Sequence, residues 1–213
     1  MIWSILISGI PERYHSAQPL LYSLLETQMV ARLPDVELLY HLDNRRRTVG
    51  AKRNGLLDVA RGEYVSFVDD DDEVASDYVK RIRAAIIETR KHSPPADVIC
   101  FRQDAHLQPH GIVHECHYSL EYWKRSPDQR RRLEQITEPD GSISGNRLKW
   151  TGPPAHTMVW RREMLNGLRF PDQTFGEDVS FVDLACERAH TEVILNGAAL
   201  YHYKFSEEGT ATR

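Results

Sequence analysis

The sequence predicts an α/β fold with a mostly parallel central sheet flanked by helices. Two observations carry that prediction. The first hundred residues alternate short apolar runs with amphipathic segments in the order βαβαβαβ, the rhythm of parallel strands joined by crossover helices. Two of those apolar runs also end in carboxylates, Asp43 and the run Asp69 to Asp72. In open α/β sheets, ligands sit at the carboxyl ends of strands.

Each element follows in order. Trp3 to Ser8 is an apolar strand that stops at Gly9-Ile10-Pro11. Ser16 is expected to cap a helix with Pro19 in its first turn and Leu20, Leu21, Leu24 and Leu25 on one face. After Pro34-Asp35, Val36 to Leu42 reads as a strand. Thr48 caps a helix running to Ala60, closed by Arg61-Gly62. Tyr64 to Val68 is the next strand. Ser76 is expected to cap a helix with Val79, Ile82, Ile86 and Ile87 on one face, ended by Pro94-Pro95. Asp97 to Phe101 begins another strand.

The second half is less regular. Ile99 to His106 and Ile112 to Tyr118 read as a hairpin across Gln108-Pro109-His110-Gly111. Arg125 to Ser144 is polar and turn-rich, expected to be a mobile or surface segment. Thr157 to Trp160 is a short strand, Gly176 to Ala189 a helix, and Val193 to Tyr203 strand-like.

Composition narrows the classes. A chain of 213 residues with 41% hydrophobic and 27% charged residues has enough apolar material for one domain and is not disordered. Its net charge of −4 argues against a general nucleic-acid or anionic-membrane binder. Cys100, Cys116 and Cys186 are scattered without CxxC spacing, which fits a reducing, cytoplasmic setting. The N-terminal MIWSILISGIPER lacks a basic lead and reads as a strand rather than a signal peptide, and no segment has the length of a membrane span.

The aspartate run is the most informative motif. Carboxylates this close repel each other unless one is protonated or a cation sits between them. Carboxylate oxygens suit a hard divalent ion such as Mg²⁺ or Mn²⁺, which leaves coordination positions for phosphate oxygens. Alternation along an extended strand puts Asp69 and Asp71 on one face. A solvated acidic turn is the competing reading, but the run abuts a buried strand. An EF-hand loop is rejected: counted from Asp69, its glycine position holds Val74 and its closing glutamate position Lys80.

The ordered set of motifs resembles family 2 glycosyltransferases of the GT-A fold. It comprises SILISGIPER, then Asp43 followed by GAKRNGLLDVARGEYVSFVDDDDEV, then FGEDVSF, then YHYKFSEEGT. The resemblance implies a Rossmann-like sheet with a smaller mixed acceptor-side region. It implies one GT-A domain over residues 1–213, with a nucleotide-sugar half at 1–105 and an acceptor half at 106–213. By the same resemblance, Pro11, Glu12, Asp43, Arg53, Asp69 and Asp70 would bind a nucleotide-diphosphate sugar, a UDP-sugar foremost. Asp71, Asp69 and His202 would hold Mn²⁺ or Mg²⁺; which of Asp69, Asp70 and Asp71 touches the metal stays open. Asp178 would be the general base, with Glu177 orienting the acceptor, and the reaction would invert the anomeric centre. Trp150 and His156 are expected on the acceptor side, where an aromatic face and a Pro-Pro ledge suit a sugar or base. The acceptor classes left open are a glycan, a lipid-linked sugar, a protein and a modified nucleobase.

Other features are weaker. His106, His110, His114, His117 and Cys116 match no standard zinc spacing. Arg45 to Arg47 with Lys52 and Arg53 is a basic cluster near the expected nucleotide pocket, and Arg130 to Arg132 reads as a solvated face. A nucleotidyltransferase would carry a glycine-rich phosphate loop after the first strand, which Gly9-Ile10-Pro11-Glu12 is not. A binding protein without turnover is expected to have lost the base or the metal aspartate, and both are present.

Overall fold

The computed structural model describes residues 1–108 and 110–206. In chain order, strand β1 (Trp3–Gly9) is followed by a short 3₁₀ turn and helix α1 (Tyr14–Tyr22). Next come β2 (Val36–Leu42), α2 (Val49–Val59), β3 (Tyr64–Asp69) and the two-residue β4 (Glu73–Val74), then α3 (Tyr78–Thr89) and β5 (Val98–Phe101). The second half adds β6 (Gln103–Gln108), β7 (Ile112–Tyr118), α4 (Leu120–Trp123), β8 (Arg132–Thr137) and β9 (Ile143–Gly152). It closes with β10 (Val159–Arg161), α5 (Glu177–Arg188), β11 (Glu192–Leu195) and β12 (Tyr201–Ser206).

Two six-stranded sheets result. The first runs β11-β5-β10-β3-β1-β2, and the second β4-β12-β6-β7-β9-β8. In the first, β1 lies parallel to both β2 and β3, and β5 parallel to β11. Only β10 is antiparallel, wedged between β3 and β5. The βαβ rhythm explains the parallel part: β1 is buried along its whole length, and α3 sets Val79, Ile82 and Ile86 into the core. The carboxyl ends of β1, β2 and β3 lie side by side, with Ser8 level with both His41 and Asp69.

Several sequence expectations are corrected. Neither Ser16 nor Ser76 caps its helix: α1 begins at Tyr14 and α3 at Tyr78. Thr48 does cap α2, its hydroxyl accepting from the Ala51 N–H at 3.0 Å. The polar stretch expected to be mobile or on the surface does lie at the surface, and it forms the β8–β9 hairpin, turning at Asp140-Gly141 with Gly141 at φ +85°. Asp-Gly is a strong hairpin signal, and the many charged and polar residues around it masked it. The late strand is two strands in different sheets, β11 and β12. The first sheet takes β10 and β11 from residues 106–213, and the second takes β4 from residues 1–105. The tip of the β6–β7 hairpin at Pro109 and the end of YHYKFSEEGT after Ser206 lie outside the described residues.

Candidate active site

The two sheets enclose a cleft of about 680 Å³ at the carboxyl ends of β1 and β3. Ser8, Ile10 and Arg13 come from the end of β1, and Asp69, Asp71 and Asp72 from the end of β3. Lys52 and Arg53 come from α2, and Thr174 to Asp178 lead into and begin α5. The second sheet supplies Tyr118, Trp150, Tyr203 and Phe205 as an aromatic wall. Alternation along β12 puts Tyr203 and Phe205 on that wall.

Arg53 organises the centre. Its side chain is buried and donates to Glu177 Oε1 and Asp69 Oδ1, each at 2.7 Å. Its guanidinium also lies 5.5 Å from the Phe170 ring centroid. Three charges with opposite signs in contact explain how they are kept from water. Burial pushes the Asp69 carboxyl up, but the charge of Arg53 and the contact with His156 hold it well below the usual range.

His156 forms the second link. Its Nε2 lies 3.5 Å from Asp69 Oδ2 and its Nδ1 3.4 Å from Asp178 Oδ2. Burial and Arg53 disfavour the imidazolium, but the two carboxylates prevail and raise the His156 pKa. For Asp178, burial opposes ionisation, and His156 then Arg53 outweigh it, bringing the carboxyl down to about 2. Asp178 is therefore ionised throughout the neutral range and faces the cleft.

The four aspartates have four environments. β3 ends at Asp69, and Asp70 to Asp72 form a turn in which the Asp72 N–H bonds the Asp69 carbonyl at 3.2 Å. Asp70 is fully buried and ion-paired to Arg13 at 2.5 Å, and it does not line the cleft. Asp71 is the open one, its side chain 31% exposed in the cleft and also paired to Arg13. Asp72 accepts from the Tyr201 hydroxyl at 2.6 Å and the Lys204 N–H at 2.8 Å. Burial and the neighbouring Asp69 charge push its carboxyl up to about 8.

Other expected site residues are placed as follows. Asp43 does not line the cleft; it accepts from the Arg45 and Arg47 N–H groups at 3.2 and 3.1 Å and lies 3.5 Å from Lys52 Nζ. It thus shapes the loop whose Arg45 and Arg47 side chains do line it. Pro11 and Glu12 are exposed and outside the cleft, where their neighbours Ile10 and Arg13 take the wall. Glu177 lines the cleft and is paired to Arg53 through its Oε1 at 2.7 Å. His156 lines the cleft, between Asp69 and Asp178. Trp150 does stand on the wall, its ring centroid 5.3 Å from that of Tyr118.

His202 is not brought to the site. In β12 it alternates with Tyr201 and Tyr203, and its ring lies 5.8 Å from His106 on the opposite face of the second sheet. His114 faces the cleft, while alternation turns His117 to the same far side as His106. Sequence reading missed Arg13 as a site residue. Its signal was faint: one basic residue, four positions past the end of an apolar strand.

The family model described as glycosyl transferase family 2 matches residues 28–151, more than half of the chain. This chain belongs to glycosyl transferase family 2. The matched span holds Asp43, Arg53, the aspartate run and Trp150. Arg13, His156, Glu177 and Asp178 lie outside it, so their place in the site rests on the geometry above. No curated protein sequence matches the chain. Among solved structures, S. aureus TarS 1–349 in complex with UDP-GlcNAc superposes with a TM-score of 0.62 at 20% identity, over 98% of this chain and 60% of that one. The same protein in complex with UDP gives 0.59 at 21% identity, over 97% and 61%. A longer TarS structure gives 0.58 at 20% identity, over 98% and 37%. The family 2 member described here thus has the GT-A fold and spans about 60% of the length of TarS 1–349. Among its described residues, no helix is long and apolar enough to cross a membrane.

Proposed function

We propose that this family 2 chain is a divalent-cation-dependent, inverting glycosyltransferase that moves a sugar from a UDP-sugar to an acceptor hydroxyl. The observation that carries the reading is the convergence of Asp69 and Asp178 on His156 in one cleft, at 3.5 and 3.4 Å. That contact joins the strand end where an α/β sheet presents phosphate ligands to a carboxylate ionised at neutral pH. The similar TarS structures in complex with UDP and with UDP-GlcNAc support uridine as the donor base.

The donor set fits a hard cation. Asp71 and Asp69 offer carboxylate oxygens on the cleft wall. Among the described residues, no group of three or more His, Cys, Asp or Glu surrounds one point. Two carboxylates with the remaining positions left to diphosphate oxygens and water is how Mg²⁺ and Mn²⁺ are commonly held. When bound, the cation neutralises charge gathering on the departing diphosphate. Lys52, Arg45 and Arg47 add positive charge on the same side.

Asp178 receives the acceptor proton as the new C–O bond forms at the anomeric carbon and the bond to the diphosphate oxygen breaks. At about 2, its pKa makes it a weak base that is always ready, so proton transfer follows bond formation rather than preceding it. Attack opposite the leaving group inverts the centre. Arg53 fixes Glu177 and Asp69, and His156 fixes Asp178 and Asp69, so the reacting groups are held before substrate arrives. Trp150 and the exposed Phe175 present faces on which an acceptor ring stacks. Three free, buried cysteines accord with a cytoplasmic setting.

Calorimetric titration of UDP, GDP, CDP and dTDP, each with and without Mn²⁺, tests the reading. UDP is expected to bind with Mn²⁺ present, Asp71→Asn to lose that binding, and Asp178→Asn to keep it. Hydrolysis or transfer from a UDP-sugar should fall by about 10²–10⁴-fold in Asp178→Asn. A folded protein that binds none of the four nucleotides with Mn²⁺ present overturns it.

A further inference from the structure

Arg13 sits in the 3₁₀ turn just beyond β1 and reaches two adjacent carboxylates that point different ways. Asp70 lies beneath, wholly buried, and Asp71 lies above, in the cleft. The contact to Asp70 is close but poorly aligned as a hydrogen bond, leaving both Asp70 oxygens without an aligned partner among the described residues. The buried Tyr40 hydroxyl likewise has none, and it flanks Gly9 together with Asp70 Oδ2. Acceptor capacity is thus held in reserve under Arg13, away from the cleft.

We propose that Arg13 occupies the cation position beside Asp71 in the donor-free protein and hands Asp71 to the divalent cation by turning towards Asp70 when donor binds. The inference rests on the metal-dependent reading above. It assigns Asp70 as the anchor of Arg13 rather than as a metal ligand. Two cations cannot share one carboxylate without mutual repulsion. A metal arriving alone must therefore displace Arg13. A metal arriving with diphosphate brings negative oxygens that offset its repulsion with the guanidinium, so the displacement costs less. Metal and nucleotide then bind cooperatively, with Arg13 setting the size of that coupling.

The test follows free Mn²⁺ by its electron paramagnetic resonance signal, with and without UDP. The proteins are wild type, Arg13→Gln combined with Asp70→Asn, Asp70→Asn alone, and Asp71→Asn. The double variant removes the buried Asp70 charge together with its partly exposed partner, so no buried charge is left uncompensated and the fold is retained. Without UDP it is expected to bind Mn²⁺ about tenfold more tightly than wild type, and UDP should strengthen its Mn²⁺ binding less. Asp70→Asn alone leaves Arg13 wholly to Asp71 and should weaken Mn²⁺ binding severalfold. Asp71→Asn should abolish it. The inference is overturned if the double variant binds Mn²⁺ no better than wild type while UDP still promotes Mn²⁺ binding to wild type. If UDP binds and Mn²⁺ binds no form of the protein, the metal-dependent reading fails and this inference falls with it.

Discussion

His156 Nδ1 lies 3.4 Å from Asp178 Oδ2, so the proposed base is steered by an imidazole rather than standing free. The same ring reaches Asp69, which ties the base to the strand end proposed to receive the donor. Removing the ring should therefore change where the base titrates as well as how fast transfer runs. In His156→Gln the largest influence that lowers Asp178 is gone while its burial and the weaker pull of Arg53 stay, so its carboxyl rises from about 2. The acid limb of kcat/KM is expected to move to higher pH, with a loss on the order of 10²-fold from misplacement of the base. An unmoved limb would show that His156 does not act through Asp178.

The same contact has a stability signature. His156 has a raised pKa, so its contribution is complete below its ordinary value of 6.5 and is lost as pH climbs through the raised value. Asp178 is lowered from 3.8 to about 2, so its contribution is complete above 3.8 and is lost as pH falls towards 2. The difference in melting temperature between wild type and His156→Gln should be greatest between those bounds and shrink on either side. Melting curves in metal-free buffer across that range check it; a difference that grows above neutral pH would contradict it.

Arg53 is buried and paired to two carboxylates, so its loss is expected to be costly. Arg53→Met keeps most of the stem but leaves Asp69 and Glu177 facing each other without their shared cation. Loss of one partner from a buried ion pair costs roughly 3–5 kcal/mol, and urea unfolding should show a drop of that order. Arg53→Lys keeps the charge but not the two-pronged reach, so it should lose less. A change under about 1 kcal/mol in Arg53→Met would mean the two carboxylates find other compensation.

Gly50 opens α2 against the segment that leads into α5. A Cβ placed there would lie 1.9 Å from the Pro171 carbonyl oxygen, and the Gly50 N–H bonds the Gln173 carbonyl at 3.1 Å. Gly50→Ala must push that backbone away, at about 1–3 kcal/mol. Thr174 to Asp178 follow directly and line the cleft, so nucleotide affinity should fall along with stability. Unfolding and titration on one variant check both; full stability with full affinity would show that the segment yields freely.

Much of the frame was legible because its signals are local. The β1, β2 and β3 runs, the Thr48 cap and the carboxylates at strand ends are each written within a few residues. Partner choice was not legible, because it is settled across the chain. Nothing near Arg13 in the sequence indicates Asp70 and Asp71, 57 and 58 positions away. His202 shows the converse: a histidine at a strand end looks available, but alternation from Tyr201 turns it to the other face of the second sheet. β10 was recognised as a strand, yet its antiparallel insertion between β5 and β3 depends on neighbours no local pattern names.

Asp72 grips β12 by the Tyr201 hydroxyl and the Lys204 N–H, and the same Tyr201 oxygen accepts from the Asp69 N–H at 3.0 Å. Tension applied to the last strand is therefore delivered to the backbone of the aspartate turn within two hydrogen bonds. A surface tether or a bulky fusion beyond Ser206 would act as a lever on that turn. An attachment at the β8–β9 hairpin tip, remote from β12 in the strand order, would leave it slack.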